Sequence, residues 1–132
     1  MNPARFDRSA LDAIGAQREV KLTTIGRRSG KPRTVTIWIA TDGERAYVRS
    51  GGGLARDWPQ NLLARGQATL RVGNRAMEVA ARHVADPDEA RRSSRLAAQK
   101  YGRYVKASKA GEPLTKGETA VFELTPKDEG LR

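Results

Sequence analysis

The eight residues from Gly26 to Arg33 constrain the fold more than any other stretch of the chain. This segment, here called the basic loop, reads Gly-Arg-Arg-Ser-Gly-Lys-Pro-Arg and contains four cations and no acid. It resists burial, because each cation would lose its hydration. It connects two segments with strand-like alternation, Glu19–Ile25 and Thr34–Thr41, so we expect a hairpin whose loop faces water or an anion. A solvated loop and a phosphate-binding loop both fit, since glycines let backbone N–H groups converge and arginines match phosphate oxygens.

Apolar and polar residues alternate along several further short segments, which is typical of strands. The predicted strands are Glu19–Ile25, Thr34–Thr41, Arg45–Ser50, Ala68–Val72, Arg75–Val84 and Ala120–Thr125. Turn signals at Asp42-Gly43 and Gly73-Asn74 favour antiparallel hairpins. Six or more short, mostly antiparallel strands with flanking helices predict a mainly β fold that forms a closed or half-closed barrel. An open α+β sandwich is the alternative.

Capping residues and helical spacing predict three helices. The first helix lies within Met1–Gln17, with Ser9 as its N-cap and Gly15 near its end. The second helix begins at Asp57, which serves as its cap, and ends at Gly66. The third helix runs from Asp86 to about Val105. The stretch Lys106–Thr119 is predicted to be a loop and residues 127–132 a polar tail. A chain of 132 residues is expected to form one domain, spanning residues 1–132.

The charge balance favours an acidic partner. The chain has 25 Lys and Arg against 15 Asp and Glu, which gives a formal net charge of +10 at pH 7. Nucleic acid, a membrane surface and a small phosphorylated ligand would all suit this excess. Aromatic residues make up only 5% of the chain, which leaves little for stacking against single-stranded nucleic acid. A basic nucleic-acid-binding module stays open as an alternative.

Few side chains are suited to catalysis. The sequence has no cysteine, and its one histidine, His83, ends a predicted strand with no predictable acid–serine arrangement around it. We therefore predict a structural or surface role for His83, no catalytic side chain and no transition-metal site. An enzyme with this sequence would take its reactive atoms from a bound cofactor. No apolar run reaches the roughly 20 residues of a spanning helix, and we expect a cytoplasmic protein.

The motifs, taken in order along the chain, resemble those of one known family. They are Leu22–Thr34, Asp42-Gly43, Ser50-Gly51-Gly52, Trp58 with Asn61-Leu62, Val72-Gly73 and Val121–Pro126. Together they resemble the deazaflavin-dependent nitroreductase family. That family belongs to the wider split-barrel flavin-binding group, which includes the pyridoxamine-phosphate-oxidase-like proteins.

The resemblance implies a split β-barrel that binds a reduced deazaflavin coenzyme and transfers a hydride to a quinone-like or nitroaromatic acceptor. FMN in place of deazaflavin stays open, as does a protein that carries its cofactor without turnover. The resemblance also implies a homodimer. By position, the coenzyme-binding residues would be Arg27, Arg28, Ser29, Gly30, Lys31, Arg33 and Thr34 in and beside the basic loop, Ser50, Gly51 and Gly52 against the ring system, and Trp58 and Asn61 in the following helix. Tyr101 and Tyr104 would line the substrate pocket, or would only pack on their helix face.

Overall fold

A computed structural model describes residues 5–127, and within them one seven-stranded antiparallel sheet organises the chain. The strands are β1 (Val20–Ile25), β2 (Pro32–Ile37), β3 (Ile39–Thr41), β4 (Ala46–Arg49), β5 (Gln67–Val72), β6 (Arg75–His83) and β7 (Val121–Pro126). Their order across the sheet is β2-β1-β5-β6-β7-β4-β3. Since β2 and β3 are separated by one residue yet form the two edges, the sheet has to curl until its edges meet. The predicted class is confirmed as a mainly β, split-barrel fold with flanking helices.

The predicted strand Thr34–Thr41 is wrong as a single element, because it divides at Trp38. On one side of the division Ile37 pairs with Val20 of β1, and on the other Ile39 pairs with Val48 of β4. The apolar alternation runs through the division without a change of phase. Periodicity therefore revealed the strand but not its change of partner.

Four α-helices flank the sheet within residues 5–127. They are α1 (Arg8–Ala16), α2 (Asp57–Arg65), α3 (Pro87–Tyr101) and α4 (Lys116–Thr119), and a single 3₁₀ turn, Gly102–Tyr104, follows α3. Apolar residues of α1, α2 and the strands fill the curl of the sheet: Ile14, Leu22, Ile39, Leu62, Leu70, Val79, Phe122 and Leu124 are all 1% exposed or less. None of the helices in this part of the chain has the length and apolar character needed to cross a membrane.

Several predicted helix boundaries need correction. The N-cap of α1 is Asp7 and not Ser9, since a carboxylate oxygen of Asp7 accepts a hydrogen bond from the Ala10 N–H at 2.8 Å. Gly15 lies inside this helix. Asp57 is the first residue of α2 and not its cap, a position that Arg56 holds without a side-chain hydrogen bond.

The predicted loop Lys106–Thr119 contains the one-turn helix α4, which closes a capping box. The Thr115 hydroxyl accepts a hydrogen bond from the Glu118 N–H at 3.1 Å, and the Glu118 carboxylate accepts one from the Thr115 N–H at 3.0 Å. Thr-x-x-Glu is the sequence signature of this motif. Only Lys127 of the predicted polar tail belongs to the described residues. Of the segment Met1–Gln17, only residues 5–17 are described.

Gly66 ends α2 in the left-handed conformation, with φ of 69°, as its predicted C′ position requires. A Cβ atom there would have no other atom within 4 Å, so a substitution meets backbone strain and no clash. We expect Gly66→Ala to lower the free energy of unfolding by about 1–2 kcal/mol, and Gly66→Asn by clearly less. Urea unfolding of both variants measures this difference, and equal losses would contradict it.

Candidate functional site

A cleft of about 1080 Å³ lies where the two edges of the sheet approach each other. Residues of β2, β3 and β4 line it, together with the turn after β4, the start of α2, one side of α3, the segment after the 3₁₀ turn, and α4. Pockets that hold coenzymes and drug-sized ligands commonly measure about 300–1,000 Å³. The cleft is therefore large enough for a multi-ring ligand.

The cleft brings together many of the predicted site residues, although they come from distant parts of the chain. Arg33, Ser50, Gly51, Gly52, Trp58, Asn61, Tyr101 and Tyr104 line it. Arg27, Arg28, Ser29, Gly30, Lys31 and Thr34 do not line it. The structure therefore separates Arg33 from the rest of the basic loop.

The tip of the basic loop is a tight turn closed by its own hydrogen bonds. The N–H of Gly26 donates to the carbonyl of Lys31 at 2.8 Å, and that of Gly30 donates to the carbonyl of Gly26 at 2.9 Å. The Ser29 hydroxyl accepts from the Lys31 N–H at 3.1 Å. These groups are thus already engaged, and residues 28–31 are exposed to solvent. A coenzyme role for the loop tip stays a prediction.

Asn61 fastens the base of the basic loop to α2. Its side chain is 3% exposed, and its carbonyl oxygen accepts hydrogen bonds from the Arg27 N–H at 3.0 Å and the Arg27 guanidinium at 3.1 Å. Its amide nitrogen donates to the Thr24 hydroxyl at 3.1 Å. Arg27 also approaches Asp57 at 3.5 Å. Asn61 therefore fixes the relative placement of two walls of the cleft, a task that spacing in the sequence could not reveal.

The turn after β4 presents open backbone to the cleft. The Ser50 N–H donates to the carbonyl of Ala120 at 3.1 Å, and the Gly53 N–H donates to the carbonyl of Ser50 at 2.9 Å. Between them, the N–H groups of Gly51 and Gly52 have no acceptor among residues 5–127. A Cβ atom at Gly51 would meet nothing within 4 Å. The turn is held at both ends and leaves two donors and free space for a ligand.

Aromatic side chains form another wall of the cleft. The rings of Trp38 and Tyr101 stack with centroids 4.1 Å apart and planes within 3°. The Tyr101 hydroxyl is occupied, because it accepts from the Ile39 N–H at 3.1 Å and donates to the carbonyl of Arg18 at 2.7 Å. Burial raises the pKa of this hydroxyl. Tyr101 thus lines the cleft with its ring while its polar atom holds the backbone.

Tyr104 behaves differently from Tyr101. It is 63% exposed and meets Trp38 only edge-on, with centroids 6.3 Å apart. It belongs to the 3₁₀ turn, since α3 ends at Tyr101 and Gly102 takes a φ of 69°. The predicted end of the third helix at about Val105 is therefore wrong, and a substrate-pocket role for Tyr104 stays a prediction.

A buried hydrogen-bond network holds the segment between α3 and β7 against the sheet. The Arg49 guanidinium donates to the Ser94 hydroxyl at 2.7 Å and to the carbonyl of Lys106 at 3.1 Å. The Ser94 hydroxyl donates to the Glu118 carboxylate at 2.7 Å, which also accepts from the N–H of Ser108 at 3.1 Å. These residues could not be predicted from the sequence, because the network joins positions far apart in the chain.

Glu118 stays ionised inside this network although its side chain is fully buried. Burial by itself raises the pKa of the carboxyl group, but the hydrogen bonds from Ser108, Thr115 and Ser94 outweigh it and lower the pKa to about 2. Burial also lowers the pKa of Arg49, an effect that the charge of Glu118 opposes. The carboxylate therefore serves as the fixed anchor of this wall of the cleft.

A second set of charges pairs Arg45 and Arg82 with Glu89 and Glu123, and Arg45 lies 3.8 Å from both carboxylates. The Arg82 guanidinium donates to Glu89 at 2.6 Å and to Glu123 at 2.7 Å, and the Tyr47 hydroxyl donates to Glu89 at 2.9 Å. These contacts lower the pKa of Glu89, the hydrogen bond from Arg82 being the largest cause. His83 lies nearby, 2.9 Å from the carbonyl of Thr119, with its ring against Phe122. Each of these groups has a structural contact.

Solved structures with a similar fold include a reductase, an oxidase and a heme storage protein. An F420-H2 dependent reductase is 23% identical, with 82% of this chain and 94% of that chain covered and a TM-score of 0.62. A protein from Listeria innocua, described provisionally as a pyridoxamine 5'-phosphate oxidase, is 11% identical. The match covers 91% of this chain and 92% of that chain, with a TM-score of 0.65. The heme storage protein HutZ of Vibrio cholerae is 14% identical, with 94% and 91% covered and a TM-score of 0.65.

These likenesses define the protein as a split barrel of the type found in F420-dependent reductases and pyridoxamine-phosphate-oxidase-like proteins, which confirms the predicted resemblance at the level of the fold. The chain belongs to the family described as uncharacterized protein conserved in bacteria (DUF2255), whose model matches residues 10–122.

The depressed pKa of Glu118 makes a pH-dependent contribution to stability. Because the pKa falls from 4.5 to about 2 on folding, the contribution is roughly 3 kcal/mol above pH 4.5 and is lost as the pH falls toward 2. We expect Glu118→Gln to lower the free energy of unfolding at pH 7 by at least about 2 kcal/mol, since the amide cannot accept every bond. The difference from the wild type should shrink below pH 4.5.

Urea unfolding at pH 7, 4 and 3 measures this effect. Glu112→Gln is the matched control, because Glu112 is an exposed carboxylate of the same segment that accepts one hydrogen bond, from the Lys109 N–H. It should change stability little at any of these pH values. A Glu118→Gln difference that stayed constant down to pH 3 would contradict the anchoring role.

Proposed function

We propose that this protein is an oxidoreductase whose cleft binds a reduced deazaflavin coenzyme and an acceptor of the quinone-like or nitroaromatic class. The observation that carries the proposal is the turn after β4, where Gly51 and Gly52 line the cleft and their N–H groups have no acceptor among residues 5–127. Buried or ligand-facing N–H groups favour polar partners, and the edge atoms of a flavin-like ring provide such acceptors. The likeness of fold to an F420-H2 dependent reductase supports this proposal.

The residues of the cleft fit such a group. A side chain at position 51 would meet no other protein atom nearby, but the residue there is glycine. The space beside Gly51 is therefore available to a ring. Trp58 supplies an apolar surface beside the turn, and Val35 and Val48 extend it. Arg33 lies on β2, exposed and without an acidic partner among the described residues, where it would hold the phosphate tail.

When bound, the reduced coenzyme supplies a hydride, which is the two-electron chemistry that the side chains lack. The chain's own residues would hold the two reactants in contact and exclude water. The stacked Trp38 and Tyr101 form a firm wall for this purpose, because the Tyr101 hydroxyl is fixed to the backbone. Cations at the cleft would offset negative charge that develops on the acceptor. FMN is the alternative coenzyme for the same cleft.

A homodimer is part of the proposal as well. The outer residues of β2, among them Thr34 and Thr36, are exposed, and within residues 5–127 this strand pairs only with β1. A free edge of this kind can pair with another chain. A second copy there would lie beside Arg33 and the cleft.

Titration of the purified protein with the reduced deazaflavin and with FMN tests the proposal. We expect saturable binding of one of them at tens of micromolar or below, followed by oxidation of the coenzyme when menadione or a nitroaromatic compound is added. Gly51→Leu should weaken binding at least tenfold without loss of stability, because the new side chain enters open space. Absence of binding by either coenzyme would refute the proposal, and binding without turnover would favour a carrier.

Arg33 and Arg28 give a matched test of which cations hold the coenzyme. Both are exposed arginines of the basic loop, but only Arg33 lines the cleft. We expect Arg33→Ala to weaken coenzyme binding by about 1.5–3 kcal/mol, the scale of one hydrogen bond to a charged group. Arg28→Ala should leave the affinity nearly unchanged. Equal effects of the two substitutions in a calorimetric titration would show that the loop acts only through its overall charge.

A further inference from the structure

Three cations outside the basic loop line the cleft on the side of the turn after β4 and the segment that follows α3. Arg56, Lys106 and Lys116 line the cleft, and we call them the basic rim. Their side chains donate no hydrogen bond and form no ion pair with residues 5–127, although many other cations of the chain are paired. Among residues 5–127, the one acid that lines the cleft is Asp57, and it already faces Arg27 at 3.5 Å. The cleft therefore carries uncompensated positive charge.

The contacts around the turn bring the backbone segments that carry the basic rim close together. A Cβ atom at Gly52 would collide with the Arg56 guanidinium, and one at Gly53 would lie 3.6 Å from the Cβ of Lys116. On the other side, the carbonyl of Lys106 accepts a hydrogen bond from Arg49 at 3.1 Å, and the Arg49 guanidinium packs against Gly117. Arg49 thus ties the backbones that carry the two lysines to the same point.

Hydrogen bonds on the buried side of Arg49 hold the segment that carries the two lysines in place. Arg49 is held by Ser94, and Ser94 by the buried Glu118, so the segment that carries Lys106 and Lys116 has a fixed position. Glu118 is buried and does not itself line the cleft, and its carboxylate accepts hydrogen bonds from the N–H groups of Ser108 and Thr115. Like charges held together repel each other, and an anion between them removes the repulsion. Lysine and arginine are also the usual donors to carboxylates and phosphates.

We propose that the basic rim is a subsite for an oxyanion of the acceptor, so that this protein favours acceptors that carry a carboxylate or phosphate group. The inference rests on the proposed function and adds the class of its acceptor. Arg33, the cation assigned to the coenzyme tail, lies on β2, whereas Arg56 and Lys116 lie against the turn assigned to the ring. An acceptor anchored at the rim would therefore lie beside the ring and not beside the tail.

Two nitroaromatic probes of similar size, 4-nitrobenzoate and 4-nitrobenzamide, test the subsite. We expect the wild type to bind the anion at least about tenfold more tightly than the neutral amide, with a preference that falls as salt is added. The double variant Lys106→Gln, Lys116→Gln should lose most of this preference and keep its affinity for 4-nitrobenzamide. Lys109→Gln is the control, since Lys109 is an exposed lysine of the same segment outside the cleft lining.

Calorimetric titration of the protein without coenzyme gives these affinities independently of turnover. Equal affinity for the two probes, or a preference that the double variant retains, would overturn the subsite. A double variant that loses at least tenfold in coenzyme affinity would also overturn it, because the rim would then hold the coenzyme tail. Failure of the wild type to bind either coenzyme would instead refute the proposed function and leave the anion preference measurable.

Discussion

The structure depends on one constraint, the change of strand partner at Trp38. Because β2 and β3 are adjacent in the chain but form opposite edges of the sheet, the sheet must curl, and the curl both encloses the core and forms the cleft. Hydrogen bonds hold the corner as well as packing, since the Tyr101 hydroxyl accepts from the N–H of Ile39 in β3 and donates to the carbonyl of Arg18, shortly before β1. The same residue stacks on Trp38, so the corner and the cleft wall are one feature.

A second constraint fixes the wall that covers the cleft from the side of α3. The segment from Lys106 to Gly117 has little regular structure, and it would gain little from apolar burial alone, because most of it is exposed. Its position comes instead from Arg49, Ser94 and Glu118, which satisfy one another in a buried chain of hydrogen bonds. Such networks specify geometry when every member is paired, and among residues 5–127 no buried side-chain polar atom lacks a partner.

Local sequence patterns predicted the turns and helix ends, but features that depend on long-range contacts could not be predicted from them. The hairpin of β5 and β6 and the end of α2 at Gly66 followed from turn and cap residues. The division at Trp38 could not be predicted, because alternation records which face is buried and not which strand is the partner. Ser9 and Asp7 are both capping residues, and only the hydrogen bond distinguishes them. The Thr115–Glu118 capping box was visible in the sequence and was missed.

Some residues of the candidate site could likewise be predicted from local motifs, and others could not. The Ser-Gly-Gly turn and Trp58 could be placed in the cleft from sequence, because the resemblance covers their whole motif. The basic loop was identified by its charge, and charge does not record direction, so the cleft position of Arg33 and the outward position of Arg28 could not be distinguished. The basic rim comes from three separate segments and carries no motif.

Gly51 and the cations of the basic rim share a property that has an evolutionary consequence. Within residues 5–127, the space beside Gly51 is open and the side chains of the basic rim make no hydrogen bond or ion pair. Asn61, Tyr101 and Glu118, by contrast, make hydrogen bonds that hold the fold together. Single substitutions at the first set can therefore alter which molecules enter without endangering folding. Descendants of such a protein can diversify chemically while their scaffold stays the same, and differences at these few positions are where new specificities would first arise.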